Sequence, residues 1–514
     1  MSNVVLSASV RQNLLSLQNT AALLATTQER LASGKKVNTA LDNPTNFFTA
    51  QGLDNRASDI ANLLDSVSNG VQILQAANTG ITSLEKLVDT AKSIANQVLQ
   101  SPTGYAPKST ATGNALPGAT SAALLAPLTT SGNTLNNQAV PPVPITAATT
   151  LSGAAGSDSL SPGFAAGNSF TVNGFTFTFV LGAVSSQTGP TGFNIGVGDT
   201  VGNLLNFVDT ATGGSHSIAS NGAITLTGAV GVALGGANLA PLGLAATGNS
   251  LIGQTLTVAA TAGGTPTNLT FGFAAGQIST LAQLNAALAA NNLQATIDTT
   301  GRISLTTSND AASSTVGALG GTSVTTAGAA FNGVTISPPV PDINSQNARA
   351  NLVEQYNNVM DQINTTAQDA SFNGINLLNG DTLRLVFNET GRSTLTIQGV
   401  TLNDAGLGLA PLATGVDFLD SGSANAVLNS LNSASATLRA EASTLGSNLS
   451  IVEIRQDFSK NLINVLQTGS SNLTLADANE EAANSQALST RQSIAVSALA
   501  LANQSQASVL QLLR

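Results

Sequence analysis

The chain is short of most of the side chains that do chemistry. Its 514 residues include no cysteine and no tryptophan, two tyrosines and one histidine, His216. Without cysteine there is no disulfide, no thiolate zinc site and no thiol nucleophile. A single histidine excludes a His-Glu-x-x-His metal site and leaves little room for imidazole-centred catalysis. Charged residues are 9% of the chain, against about 25% in ordinary soluble proteins. The net charge of −10 argues against a nucleic-acid footprint, which needs clustered cations. The longest uncharged runs are broken by Pro, Gly and Thr, so no membrane insertion is expected. Residues 1–6 carry no basic stretch, and no cleaved secretory leader is expected.

What is present is unevenly distributed. Of the 17 basic and 27 acidic residues, only eight lie between Ser101 and Asp342: Lys108, Asp158, Asp199, Asp209, Asp298, Arg302, Asp310 and Asp342. Proline shows the opposite bias. Fourteen of the 16 prolines fall in that middle stretch, and the flanks hold only Pro44 and Pro411. Two helical flanks therefore surround a Gly-, Thr- and Pro-rich insert.

The flanks carry apolar residues in a four-three rhythm. Val10, Leu14, Leu17, Ala21 and Leu24 form one run, with Gln28 intervening before Leu31. A second run takes in Leu63, Val67, Leu74, Ala77, Ile81, Leu84 and Val88 and reaches Val98, with Gly70 as its one break. A third contains Leu428, Leu431, Ser435, Leu438, Ala442, Leu445, Leu449 and Val452, and passes Gln456 and Ser459 to Ile463 and Leu466. Seams of this spacing face a partner helix along their length. At 1.5 Å per residue the third run is about 60 Å long, which suits a coiled-coil bundle better than a compact globule. Asn43-Pro44 supplies an N-cap and a first-turn proline, Ser101-Pro102 a stop, and residues 33–43 a break between helices.

The C-terminal helix is different. Ile494, Ala498, Leu501 and Leu512 mark one face, and Val496, Leu499, Leu510 and Leu513 another. A helix that is apolar on several faces must be covered on several faces, so other copies of the chain are expected to cover it. Val10, Leu14, Leu17, Leu24 and Leu31 are expected to take part in the same packing. Leu63, Val67, Leu74, Ile81, Leu84, Val88, Leu431, Leu438, Leu445, Leu449 and Val452 are the expected heptad core.

The middle contains a diverged repeat of about 80 residues. Phe170-Thr171-Val172 and Phe175-Thr176-Phe177-Thr178-Phe179 alternate as strands about Asn173-Gly174, a hairpin turn. A short helix over 198–207 and a strand over 221–227 follow. The order recurs in residues 256–258, 280–288 and 300–306, so two α+β units are expected behind a flexible Pro/Ala/Thr linker from about 101 to 160. His216, between Gly214 and Ser217, reads as a solvated loop residue without partners. The glycines at 228, 231, 235 and 236 lack the Gly-Lys-Ser/Thr of a phosphate loop and read as turns. Glu480-Glu481 suits a helix start better than acid–base work. No catalytic, cofactor or metal residue is expected.

The fold class that follows is α+β and multidomain. Long helices from the N- and C-terminal flanks form a coiled-coil core, and a β-rich outer region is inserted between them. The expected divisions are 1–43 and 468–514 as terminal polymerisation helices, 44–100 and 343–467 as core, 101–160 as linker, and 161–342 as the outer units.

Four stretches resemble bacterial flagellin, in the family's order. They are Glu29-Arg30-Leu31-Ala32-Ser33-Gly34-Lys35-Lys36-Val37-Asn38-Thr39-Ala40, Ser68-Asn69-Gly70-Val71-Gln72-Ile73-Leu74-Gln75 with Leu84-Glu85, Ser371-Phe372-Asn373-Gly374-Ile375-Asn376-Leu377-Leu378-Asn379-Gly380, and the C-terminal Ala502-Asn503-Gln504 through Leu513-Arg514. The two middle units resemble the flagellin hook IN motif. The resemblance covers about 1–100 and 345–514. It implies an extracellular filament subunit that forms a homopolymer and is secreted through the flagellar type III export apparatus with an export chaperone. It also implies hook-associated junction and cap proteins as partners, terminal helices lining a channel, and an outer region projecting from an inner tube. A hook–filament junction protein and a secreted adhesin remain the alternatives. In one respect the chain departs from the enteric layout. Its insert precedes the hairpin formed by residues 383–387 and 394–397, whereas the enteric outer domains follow it.

Overall fold

A computed structural model describes residues 8–512. Helices α1 (Ala8–Ser33) and α2 (Pro44–Gln100) come first. Strands β1 (Thr110–Thr112), β2 (Thr129–Ser131), β3 (Ser169–Val172), β4 (Phe175–Val180), β5 (Ser186–Gly189) and β6 (Gly192–Gly196) lead to α3 (Val201–Thr212). Then come β7 (Ser215–Ile218), β8 (Ile224–Thr227), β9 (Leu234–Gly235), β10 (Thr255–Val258), β11 (Thr267–Thr270) and α4 (Leu281–Ala289). They are followed by β12 (Leu293–Ile297), β13 (Ile303–Thr307), β14 (Leu319–Gly320), α5 (Thr322–Thr325) and β15 (Ile336–Ser337). The last elements are α6 (Ile343–Asp369), β16 (Thr382–Val386), β17 (Thr394–Gln398), α7 (Ser421–Thr474) and α8 (Ala478–Leu512).

The chain divides into two units, one of residues 1–88, 361–409 and 433–514, the other of residues 89–360 and 410–432. In the first, α2 starts where the sequence places it. Asn43 Oδ1 accepts the Asn46 N–H at 3.0 Å, and Pro44 occupies a position that needs no donor. Val67, Leu74, Ile81, Leu84 and Val88 are buried and Leu63 is half-buried. Gly70, the break in the heptad, has a physical reason. Leu385 of the antiparallel β16–β17 hairpin lies where a β-carbon would stand, 2.5 Å from the nearest Leu385 methyl. Gly80 likewise makes room for Ala370 and Leu378. Farther toward the start of α2, Ala57 and Ile60 pack with Leu466 of α7, joined by Leu53, Leu462 and Ile463.

The second unit holds two lobes built on one plan. In the first lobe, β3 and β4 form a hairpin about Asn173 and Gly174, both at positive φ. Its sheets run β5-β6-β4-β3-β9 and β2-β8-β7, around a core that includes Phe170, Phe177, Phe179 and Phe193. In the second lobe the sheets run β11-β10-β14 and β12-β13-β1-β15. The equivalences are close. Val172 pairs with Leu234 in one lobe and Val258 with Leu319 in the other. Helices α3 and α4 are capped by Thr200 and Thr280, whose side chains accept the N–H of Asn203 and Gln283.

Residues 101–160 are not a linker. Strand β1 pairs with both β13 and β15 of the second lobe, and β2 pairs with β8 of the first. Leu124 and Leu125 are buried in the second core, Leu151 and Leu160 in the first. The scattered leucines of this proline-rich stretch are core residues, and proline is tolerated because each strand it flanks is only three residues long. His216 also departs from expectation. It lies in β7, with Nδ1 2.7 Å from Asp209 Oδ2 of α3, so it ties strand to helix.

Among the described residues, Arg349 of α6 is the largest fully buried side chain. Its Nε donates to Pro102 O at 2.6 Å, Nη2 donates to Val98 O and Ser101 O at 3.0 and 2.9 Å, and Nη1 donates to Phe418 O. Burial works against its charge, and Asp420 supports it. The carbonyls left open at the end of α2 thereby find donors, and a cation sits at the negative end of that helix.

Candidate assembly surface

The first and last described helices lie together. Helix α1 ends at Ser33, α8 begins at Ala478, and the intervening segments join backbone to backbone. Lys36 N–H donates to Thr474 O at 2.7 Å, and Ala476 N–H donates to Gly34 O at 3.0 Å. Gly34, at φ +68°, takes a left-handed conformation that suits glycine and lets α1 stop there. Asp477 Oδ1 caps α8 by accepting the N–H groups of Asn479 and Glu480. Because the end of α1 meets the start of α8 and the two pack along their length, the helices run antiparallel.

One ion pair crosses them. Arg30 Nη1 lies 3.3 Å from Glu481 Oε1, and Glu481 is buried while Arg30 is half-buried. The turn before α2 is tied by Asp42. Its Oδ2 accepts Thr39 N–H at 2.8 Å, Asn38 N–H at 3.0 Å and the Thr39 hydroxyl at 3.1 Å, which hold the carboxyl below the usual carboxylate range.

The residues singled out for packing between copies fall into three groups. Val10 is buried within the chain, whereas Leu17, Leu24 and Leu499 are half-buried. Leu14, Leu31, Ile494, Val496 and Leu501 are exposed, Leu501 at 70%. Leu510 lies within α8, and Leu513 lies outside the described residues. Of the heptad residues on α7, Leu431, Leu438, Leu445 and Val452 are buried and Leu449 is half-buried. Sequence reasoning passed over a second α7 stripe of exposed Ile451, Ile454, Phe458 and Val465. Its spacing of three, four and seven is readable in the sequence, alongside the longer buried seam of the same helix. Leu15 and Leu23 of α1 are exposed as well.

The bacterial flagellin N-terminal helical region matches residues 3–124, and the bacterial flagellin C-terminal helical region matches residues 428–513. The two ends of the chain thus match the two helical regions of the flagellin family. Flagellin FljK and flagellin FljM of Caulobacter vibrioides are each 33% identical over 165 residues, covering 32% of this chain and 59% of theirs. Flagellin A of Helicobacter pylori is 32% identical over 77 residues, 15% of either chain. The chain therefore spans about three-fifths of the length of its Caulobacter relatives. The flagellin regions take in α1, the rest of the N-terminal side through β1, nearly all of α7, and α8. Most of the two lobes lies between them, outside either match. Among the described residues, no helix is long and apolar enough to cross a membrane.

Proposed function

We propose that this chain is a structural subunit, not an enzyme, that polymerises into an extracellular bacterial flagellar filament for swimming motility. The observation that carries the reading is the α1–α8 pair. Two flagellin-type ends meet in one antiparallel pair whose apolar residues are only partly covered, with Leu15, Leu23, Ile494 and Leu501 left in the open. Apolar area of this kind is worth about 25 cal/mol per Å² once removed from water. Copies of the same pair, repeated around an axis, supply the missing cover. Contacts of unlike faces give an open helical filament when the rotation between copies does not close a ring.

In this reading residues 1–43 and 468–514 are the polymerisation segments, and 44–100 with 343–467 form the inner tube. The two lobes of 101–342 form the outer region. Secretion through a flagellar type III apparatus with an export chaperone, and growth between junction and cap proteins, belong to the same proposal. Electron microscopy of the purified, concentrated chain tests it. Long filaments are expected from the full chain and none from a chain lacking residues 475–514. Short rings from the full chain, or filaments from the truncated one, overturn it.

A further inference from the structure

An open pocket of about 390 Å³ lies between α1 and α8, lined by Thr27, Arg30, Glu481, Asn484, Leu488 and Arg491, among others. Two guanidiniums share it with one carboxylate. Glu481 is committed to Arg30, yet the buried Arg30 Nε has no hydrogen-bond partner. Arg491 is exposed and has no ion pair among the described residues. Among the described residues the lining therefore sets two cations against one carboxylate, with Asp42 as a further negative charge acting on Arg30, and the Arg30 Nε–H has no acceptor.

Among the carboxylates of these two helices, Glu29 stands out. It is exposed and without an ion pair among the described residues, four positions before the end of α1 at Ser33. A carboxylate there faces the negative end of its own helix, an unfavourable place unless a cation meets it. Glu480 sits at the favourable, positive end of α8. Neighbouring residues on a helix point about 100° apart, so Glu29 faces away from the side on which Arg30 meets Glu481.

Building on the filament reading, we propose that Glu29 of one copy enters the Arg30–Arg491 cavity of another, forming a charge pair between subunits. Such a contact joins unlike faces, which an open-ended assembly needs together with a rotation that does not close. A carboxylate accepts from both guanidiniums, and charge-assisted bonds of this kind fix register as well as adding affinity.

The test uses full-length chains at low ionic strength, where such pairs are least screened. Monomer is mixed with sheared polymer of its own variant, and the critical concentration is read by sedimentation. Arg491→Glu and Glu29→Arg each raise the critical concentration at least tenfold. The double variant, which exchanges the charges, returns to within about threefold of the parent. Circular dichroism of each monomer should match the parent, since neither side chain has an ion pair among the described residues. Single variants that polymerise like the parent overturn the pairing, as does a double variant no better than the singles. Failure of the parent chain itself to polymerise refutes the filament reading, and the pairing with it.

Discussion

The helix glycines offer a sharp test of the packing. Gly52, Gly70 and Gly80 all lie inside α2, where replacing glycine by alanine in an open position stabilises by about 1 kcal/mol. At Gly52 a β-carbon meets nothing within 4 Å, so Gly52→Ala should show the whole gain. At Gly80 the same atom would stand 2.6 Å from the Ala370 β-carbon and 2.7 Å from a Leu378 methyl. The alanine methyl is fixed to its backbone and Leu378 is buried, so the segment that follows α6 must move. Overpacking of that kind costs about 1–3 kcal/mol and cancels or reverses the gain. Gly70→Ala is intermediate, because it meets only the end of a leucine that can change rotamer. The two extreme variants should therefore differ by about 1–3 kcal/mol, with Gly80→Ala the less stable. At about 2–4 °C per kcal/mol for a unit of this size, thermal denaturation of the monomer followed by circular dichroism resolves them. Equal stabilisation by Gly52→Ala and Gly80→Ala would refute the proposed seating of that segment against α2.

Three further outcomes are expected. Arg349→Met should destabilise the monomer by about 3 kcal/mol or more in urea, since four carbonyls each lose a donor and only Val98 O keeps another, and Arg349→Lys should fall between it and the parent; a shift below about 0.5 kcal/mol for the Met variant would be incompatible with this account. Because hydrogen bonds depress the Asp42 carboxyl, its hold on the turn is complete above the unfolded-state value of about 3.9 and is lost as pH falls through the lower folded value. The Thr39 amide resonance should titrate with that lower midpoint, and a midpoint at or above the usual value would show the bonds to be absent. Replacing residues 106–340 by a short Gly/Ser linker should leave a thinner polymer that still assembles, because Asp342 N–H already donates to Gly104 O at 3.0 Å where the chain leaves and returns. A folded monomer that cannot polymerise would mean that the lobes form subunit contacts.

Periodicity made the helices legible, because a four-three seam needs only the sequence to declare itself. Asn43-Pro44 and Asn173-Gly174 declared themselves too, through local backbone chemistry. What stayed hidden depended on partners distant in sequence. Gly70 looks like a flaw until Leu385, more than 300 residues away, is placed above it. Thr110–Thr112 and Thr129–Ser131 are too short to show an alternating pattern, and only their pairing makes them strands. The His216–Asp209 contact joins a helix to a strand across a tight turn that spacing alone does not orient. At the assembly surface the apolar residues could be read, but the Arg30–Glu481 pair could not, since 451 positions separate its members.

The lending of β1 and β2 to different lobes sets an order of events for a newly made chain. All the strands of the first lobe lie between β1 and β10 in the sequence, so the second lobe can close only around it. Thr112 and its partner Ser304 are separated by about 190 residues, a costly loop to close in a disordered chain. Once the inner lobe has condensed, most of that loop is spanned by a folded body with nearby ends. If the free segment shrinks to about 20 residues, the closure penalty falls by about 2 kcal/mol. Folding of the middle region should therefore be sequential, with the aromatic-rich first lobe forming early and the second waiting on it. A mutation that slows the inner lobe should then delay both, whereas one in the outer lobe should leave the inner one's rate unchanged.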